Sequence, residues 1–216
     1  MGFNSFYIKD TENIGRRTRS GTNIYIGLDC ETSSRSLSSG GKLIQFGISF
    51  YSSDGGFYTF SDYVRNEEMA WDSEAELIHG ISYDYLADKR SAVDVDNDLY
   101  TIIKDIKSSN YNLVAVGYNV GSFDLPFFNE AFPLSMSLFS HRVVDLNSLC
   151  FLLDSVYSDP KGLTHSWSKP YLKDYAHSYM LSSGVNLQAH DAGYDAAEAI
   201  ISLGFIQKVL GERPSF

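Results

Sequence analysis

Cysteine is scarce in this chain: Cys30 and Cys150 are its only two, and they stand in no Cys-x-x-Cys or Cys/His spacing. That excludes a disulfide framework and leaves zinc without its usual donors. Positive charge is scarce as well. There are 17 Lys and Arg against 27 Asp and Glu, for a formal net charge of -10 and a pI of about 4.8. A broad basic face for sequence-independent duplex binding is therefore missing. Nucleic acid is not excluded, because clustered metal-binding carboxylates give the same sign and bound cations reverse it locally. No stretch approaches the roughly 20 apolar residues of a membrane span. The opening MGFNSFYIKDTENIGRRTRSG lacks an apolar signal core, and Asp10 and Glu12 speak against a transit peptide. Phe6 stands where N-myristoylation wants Ser or Thr. These absences describe a reducing, cytoplasmic setting and no membrane partner.

What is present reads as ordinary globular protein. The 216 residues are 44% hydrophobic and 20% charged, enough for a single domain with a real core. Residues 1–21 are polar, carry Arg16, Arg17 and Arg19, and are expected to form a flexible arm ahead of a domain over 22–212. Three strands are expected at Asn23–Asp29, Lys42–Tyr51 and Gly56–Ser61, the last two joined by the hairpin signal SSDGG. The Ser/Gly-rich SSRSLSSGG is expected as a flexible loop, and Ser73 with Glu76 has capping-box spacing. VDVDNDLYTIIKDIKSS reads as an amphipathic helix, YNLVAVGYN as a strand, DLPFFNEAF as the start of a helix, and HRVVDLNSLCFLL as a strand entering a helix. In the last segment, apolar residues at 192, 196, 199, 203, 206 and 210 have helical spacing. A strand meander followed by alternating strands and helices implies an α/β fold, a mixed sheet flanked by helices.

Within IYIGLDCETS, Asp29 and Glu31 lie two apart in a strand, so they share one face while Cys30 takes the other. Two carboxylates held that close repel unless a cation sits between them. GYNVGSFDLPFF presents Asp124 at a helix start, where a simple capping role is the competing reading. AHDAGYDAAEA offers His190, Asp191 as the expected N-cap, and Asp195 among alanines on a buried face. His190 and Asp195 are five apart, about 140° around one helix, so they converge only if His190 precedes it in a loop. His141, His165 and His177 have no partner pattern, and Asp145 reads as the cap of the helix after it.

The ordered set of a strand-borne D-x-E, a helix-start Asp and H-x4-D before the last long helix resembles the DEDDh branch of the DnaQ-like 3'–5' exonucleases. The resemblance covers about residues 23–210, with IQFGISF, AELIHGIS and RVVDLNSL as weaker landmarks. GYNVGSFDLPFF is more similar to the matching segment of family B polymerase proofreading domains. Those domains place a Tyr four residues before the last Asp; this chain has Asp191 there, which puts it in the histidine branch.

The resemblance implies a ribonuclease H-like fold, with a three-strand antiparallel meander plus parallel strands. It implies two divalent cations, Mg²⁺ or Mn²⁺, about 3.5–4 Å apart to activate water and stabilise the leaving 3'-oxygen. By this analogy Asp29 bridges both cations, Glu31 and Asp195 hold the nucleophile-side one, Asp124 holds the other, and His190 is the general base. Thr32, Ser33, His79, Asn119 and Phe123 are the candidate substrate contacts. The implied partners are single-stranded DNA or RNA 3'-ends, together with a polymerase or another replication or repair protein. Two alternatives stay open: an RNA-directed exoribonuclease of the same family, and a non-catalytic ribonuclease H-like nucleic-acid-binding subunit.

Overall fold

The computed structural model describes residues 2–107, 110–157, 167–186 and 190–212. The chain opens with β1 (Asn4–Lys9), a 3-10 turn at Gly15–Thr18 and β2 (Arg19–Ser20). β3 (Asn23–Thr32), β4 (Leu43–Tyr51) and β5 (Gly56–Arg65) follow, then α1 (Ser73–His79), β6 (Arg90–Ser91), α2 (Ala92–Lys107) and β7 (Asn112–Gly117). The second half holds α3 (Asp124–Ala131), α4 (Pro133–Met136), β8 (Phe139–Asp145), α5 (Leu146–Tyr157), α6 (Lys169–Ser182) and α7 (Ala192–Glu212).

The main sheet runs β1-β5-β4-β3-β7-β8, with β2 added to β3 and β6 to β5. β3, β4 and β5 form the antiparallel meander, while β7 and β8 extend it in parallel from β3. Alternation along β3 sets the two faces. Ile24, Ile26, Leu28 and Cys30 join a core with Val95, Leu99, Phe127 and Phe128 from α2 and α3. The opposite face is covered by α5, α6 and α7 through Leu146, Leu172, Ala176, Ala197 and Ile200.

The closeness of α7 to the sheet has a specific cause. A Cβ at Gly27 would collide with the carbonyl oxygen of Ala196, and one at Gly47 with that of Ala192. Two glycines on neighbouring strands thus let the first turns of α7 lie directly on β3 and β4. Ala192, Ala196 and Ala199 complete the close contact, as their helical spacing implies.

Several expectations need correction. Residues 4–9 are not part of a mobile arm: all six pair with β5, from Asn4↔Ser61 to Lys9↔Gly56. Ile8 and Ile14 are buried, and Asp10 accepts hydrogen bonds from the N–H groups of Ile14 and Gly15 at 3.1 and 2.8 Å. Arg17 donates to the carbonyl of Gln207 at 3.0 Å, so that arginine serves the fold. The cap of α1 is Asp72, accepting from Glu74 N–H at 2.9 Å, and not Ser73; the Glu76 carboxylate accepts from the Trp71 indole instead. SSRSLSSGG contains a 3-10 turn, Leu37–Ser39, capped by Ser36. β5 continues to Arg65, past the expected end at Ser61.

Candidate active site

Asp29 and Glu31 occupy the end of β3 on the face toward α7, with Cys30 on the other face, as strand alternation requires. Pairing of β3 with β7 ends at Gly27↔Val116. Beyond that point the Cys30 N–H finds a side-chain acceptor: Asp124 Oδ1 takes it at 2.9 Å. This replaces the capping role considered for Asp124. It is the first residue of α3, Phe123 holds the cap position without a side-chain bond, and the Asp124 carboxylate faces β3.

His190 precedes α7 with a φ of 66°, in the left-handed region that His tolerates better than most residues. Its backbone N–H donates to Asp195 Oδ2 at 3.1 Å, which closes the five-residue gap between them. One ring nitrogen of His190 and one carboxylate oxygen each of Glu31 and Asp195 lie within 4.8 Å of one another. Asp191 caps α7 through Tyr194 N–H at 3.1 Å, and its other oxygen accepts from the Gln45 amide at 2.7 Å.

Asp29, Glu31, Asp124, His190 and Asp195 therefore line one hollow of about 200 Å³. Burial is the main electrostatic force in it. It pushes Glu31 up to about 8, helped by the charges of Asp195 and Asp124. It pushes Asp124 up to about 7, against the opposing bond from Cys30 N–H. Burial, then Asp124, Asp195 and Glu31, raises Asp29 well above the usual carboxylate range. Three raised acids, Asp29, Glu31 and Asp124, crowded beside a fourth carboxylate at Asp195, make a site suited to cations. All the acidic donors are hard oxygens, and Asp195 Oδ1 is buried with no hydrogen bond of its own. The set fits Mg²⁺ or Mn²⁺.

The other candidates divide. Phe123 lines this hollow and packs on Phe127 with ring centroids 5.3 Å apart. Phe123, Thr32 and His79 also line an adjoining space of about 210 Å³. Ser33 is buried and accepts from Lys42 N–H at 3.0 Å, so it holds the loop and not the hollow. Asn119 lines neither space; with a φ of 70° it makes the turn before α3, accepting from Ser122 Oγ at 2.8 Å. His177 bonds through its ring to the Tyr194 hydroxyl, His141 is exposed, and His165 lies outside the described residues. Asp145 does cap α5, through Ser148 N–H at 3.0 Å.

Lys169, Lys173 and Tyr118 also line the hollow, and none was singled out from the sequence. Lys173 Nζ stands 2.8 Å from Glu198 Oε1 and 3.6 Å from Asp195 Oδ1. The available signal was the apolar spacing of Leu172, Ala176, Tyr179 and Met180, which marks α6 and places both lysines one turn apart beside it.

A family model described as an RNase_T exonuclease matches residues 26–203. The epsilon subunit of DNA polymerase III from Buchnera aphidicola (subsp. Schizaphis graminum) is 29% identical over 97 residues, 45% of this chain and 36% of that protein. The chain thus matches about a third of that curated relative's length. Among solved structures, zinc-bound E. coli exonuclease I with single-stranded DNA superposes with a TM-score of 0.58 at 16% identity, covering 87% of this chain and 41% of that one. The nuclease domain of 3'hExo, a DEDDh family member bound to rAMP, gives 0.55 at 16% identity and covers 87% and 92%.

Proposed function

The chain belongs to the RNase_T exonuclease family, in its DEDDh (DnaQ-like) branch, and on that footing we propose a two-metal-dependent 3'–5' exonuclease that releases mononucleotides from single-stranded ends. The observation that carries this reading is the meeting of Asp29, Glu31, Asp124, His190 and Asp195 around one hollow. Asp29, Glu31, Asp124 and Asp195 would hold the two cations. Bound there, Mg²⁺ or Mn²⁺ supplies the Lewis acidity that activates a water and takes up charge on the leaving 3'-oxygen.

The chain's own groups do the rest. The ring of His190 accepts the proton of the attacking water. The bond from His190 N–H to Asp195 and the left-handed backbone hold that ring against the acids. The water oxygen bonds to phosphorus, the P–O3' bond breaks, the leaving 3'-oxygen takes a proton from solvent water and His190 returns its proton to solvent, giving a nucleoside 5'-monophosphate and a strand ending in a new 3'-hydroxyl. Thr32, His79 and Phe123 surround the space for the terminal nucleoside, with Phe123 offering a ring to its base.

DNA is the preferred substrate in this reading, in proofreading, repair or phage DNA metabolism. A polymerase or another replication or repair protein is the proposed partner, on the likeness to the epsilon subunit of a DNA polymerase. An RNA-directed exoribonuclease is the second reading, supported by the likeness to a nuclease domain bound to rAMP. Incubation with a linear oligomer and a closed single-stranded circle, with and without EDTA, tests the class of reaction. We expect stepwise mononucleotide release from the linear strand alone, abolished by EDTA. Cutting of the circle, or activity undiminished in excess EDTA, contradicts it.

A further inference from the structure

The hollow that gathers the acids adjoins two others of unequal size. Through Cys30, Glu31 and Phe123 it meets the space of about 210 Å³ beside Thr32. Through His190 it meets a larger one, about 480 Å³, lined by Tyr63, Tyr85, His79 and Gln45. That larger space shares Asn186 and Asp191 with a third, of about 570 Å³, which runs beside Phe6 and Tyr7 of β1.

A phosphate held at the acids has a nucleoside on either side. The 3'-terminal one has no chain beyond it. The other is followed by the rest of the strand and needs a way out. The small space suits the first, and the larger space that continues toward β1 suits the second. The chemistry of the larger space points the same way. Tyr85 is 47% exposed, packs against Tyr63 with ring centroids 5.0 Å apart, and carries the Lys89 ammonium 4.0 Å from its ring centroid. An open aromatic ring beside a cation is what a base and its phosphate require. The acid lining this space, Asp191, is already engaged by Gln45 and Tyr194.

We propose that this larger hollow is the upstream strand site, where Tyr85 stacks the nucleoside that keeps the leaving 3'-oxygen and the strand runs on past Asn186 toward β1. The assignment rests on the nuclease reading above. It makes the substrate a single strand extending at least one nucleotide upstream of the cut, and it makes Tyr85 and Lys89 determinants of strand binding and not of hydrolysis.

The test compares two substrates: a single-stranded DNA oligomer, and thymidine 5'-monophosphate p-nitrophenyl ester, in which p-nitrophenolate replaces the upstream strand. Tyr85→Ala should lower the oligomer-to-ester ratio of kcat/KM on the order of tenfold, the value of one stacked base, mainly through oligomer KM. Tyr85→Phe should restore the ratio. Equal loss on both substrates, or no change on either, overturns the proposal. Fluorescence anisotropy of a labelled oligomer in EDTA gives a second readout. If the wild-type protein cleaves neither substrate, the nuclease reading fails, and anisotropy still decides the strand site. A weaker oligomer complex in Tyr85→Ala supports it; an unchanged affinity overturns it.

Discussion

Lys173 on α6 and Glu198 on α7 form an ion pair of 2.8 Å, and the same ammonium stands 3.6 Å from Asp195. Burial pulls the Lys173 pKa down, but the charges of Glu198 and Asp195 outweigh it and hold the ammonium protonated. The Glu198 side chain is 5% exposed and that of Lys173 34%, so one partner is deeply buried and the other partly hydrated. Lys173→Met should leave Glu198 without its counter-charge and cost about 2 kcal/mol, less than a fully buried pair because solvent screens the lysine. Adding Glu198→Leu should recover most of that loss in urea denaturation. A double variant as unstable as the single one contradicts the pairing.

The raised carboxylates make stability depend on pH. Glu31 rises from 4.5 to about 8 and Asp124 from 3.8 to about 7, both chiefly through burial. The folded state therefore keeps protons that the unfolded chain releases, and stability falls as pH rises from about 4 through about 8. In EDTA the Tm should drop across that window. Mn²⁺ should restore more stability at pH 8 than at pH 5, because it binds the ionised acids. A Tm that rises over the window in EDTA, or an equal Mn²⁺ effect at both pH values, contradicts the assignment.

Gly27 links the fold to the site. Gly27→Ala would drive a methyl group into the Ala196 carbonyl and lift the first turn of α7, which carries Asp195, away from Asp29. Overpacking of this kind costs roughly 1–3 kcal/mol. A displacement near 1 Å in a reacting constellation lowers the rate on the order of 10²-fold. Both losses should appear together in thermal melts and in oligomer hydrolysis. Wild-type stability with a wild-type rate would mean that α7 does not need this contact.

What the sequence made legible follows from periodicity. The period of two put Asp29 and Glu31 on one face, and the spacing of Ala192, Ala196 and Ala199 turned Asp195 toward it. A single helix cannot bring residues five apart together, so His190 and Asp195 meet only because His190 stands in the loop before α7. Other features were hidden for physical reasons. β1 is an edge strand whose residues are mostly exposed, and the polar residues that end and follow it, from Lys9 to Asn13, masked the shared face of Phe6 and Ile8. Asn119 enters as a candidate substrate contact through the resemblance alone, and its positive φ, which makes the turn before α3, leaves no periodic signal in the sequence. Lys173 and Glu198 come together only in three dimensions, across two helices, and no local pattern announces such a pair.

The roles proposed for His190 and Asp29 differ, and their variants should separate. Asp29→Asn should remove nearly all activity together with tight Mn²⁺ binding in calorimetry. His190→Ala should keep the metal and lower the single-turnover rate by about 10²–10⁴, as expected for loss of a general base. Unchanged kinetics would defeat the base role, and lost Mn²⁺ binding would make His190 a ligand or a support for one.

The most direct measurement is the fate of the two ends of one strand. Oligomers of DNA and RNA, each labelled at the 5'-end or at the 3'-end, are incubated with Mg²⁺ or Mn²⁺ and resolved over time, with Asp29→Asn as the control. The account predicts that the 5'-label descends through a ladder of shortening strands while the 3'-label appears at once as a mononucleotide, with DNA the faster substrate and no product from the variant. A 5'-label released first, intact strands with the wild-type protein, or equal cleavage by Asp29→Asn would contradict a 3'–5' exonuclease built on these acids.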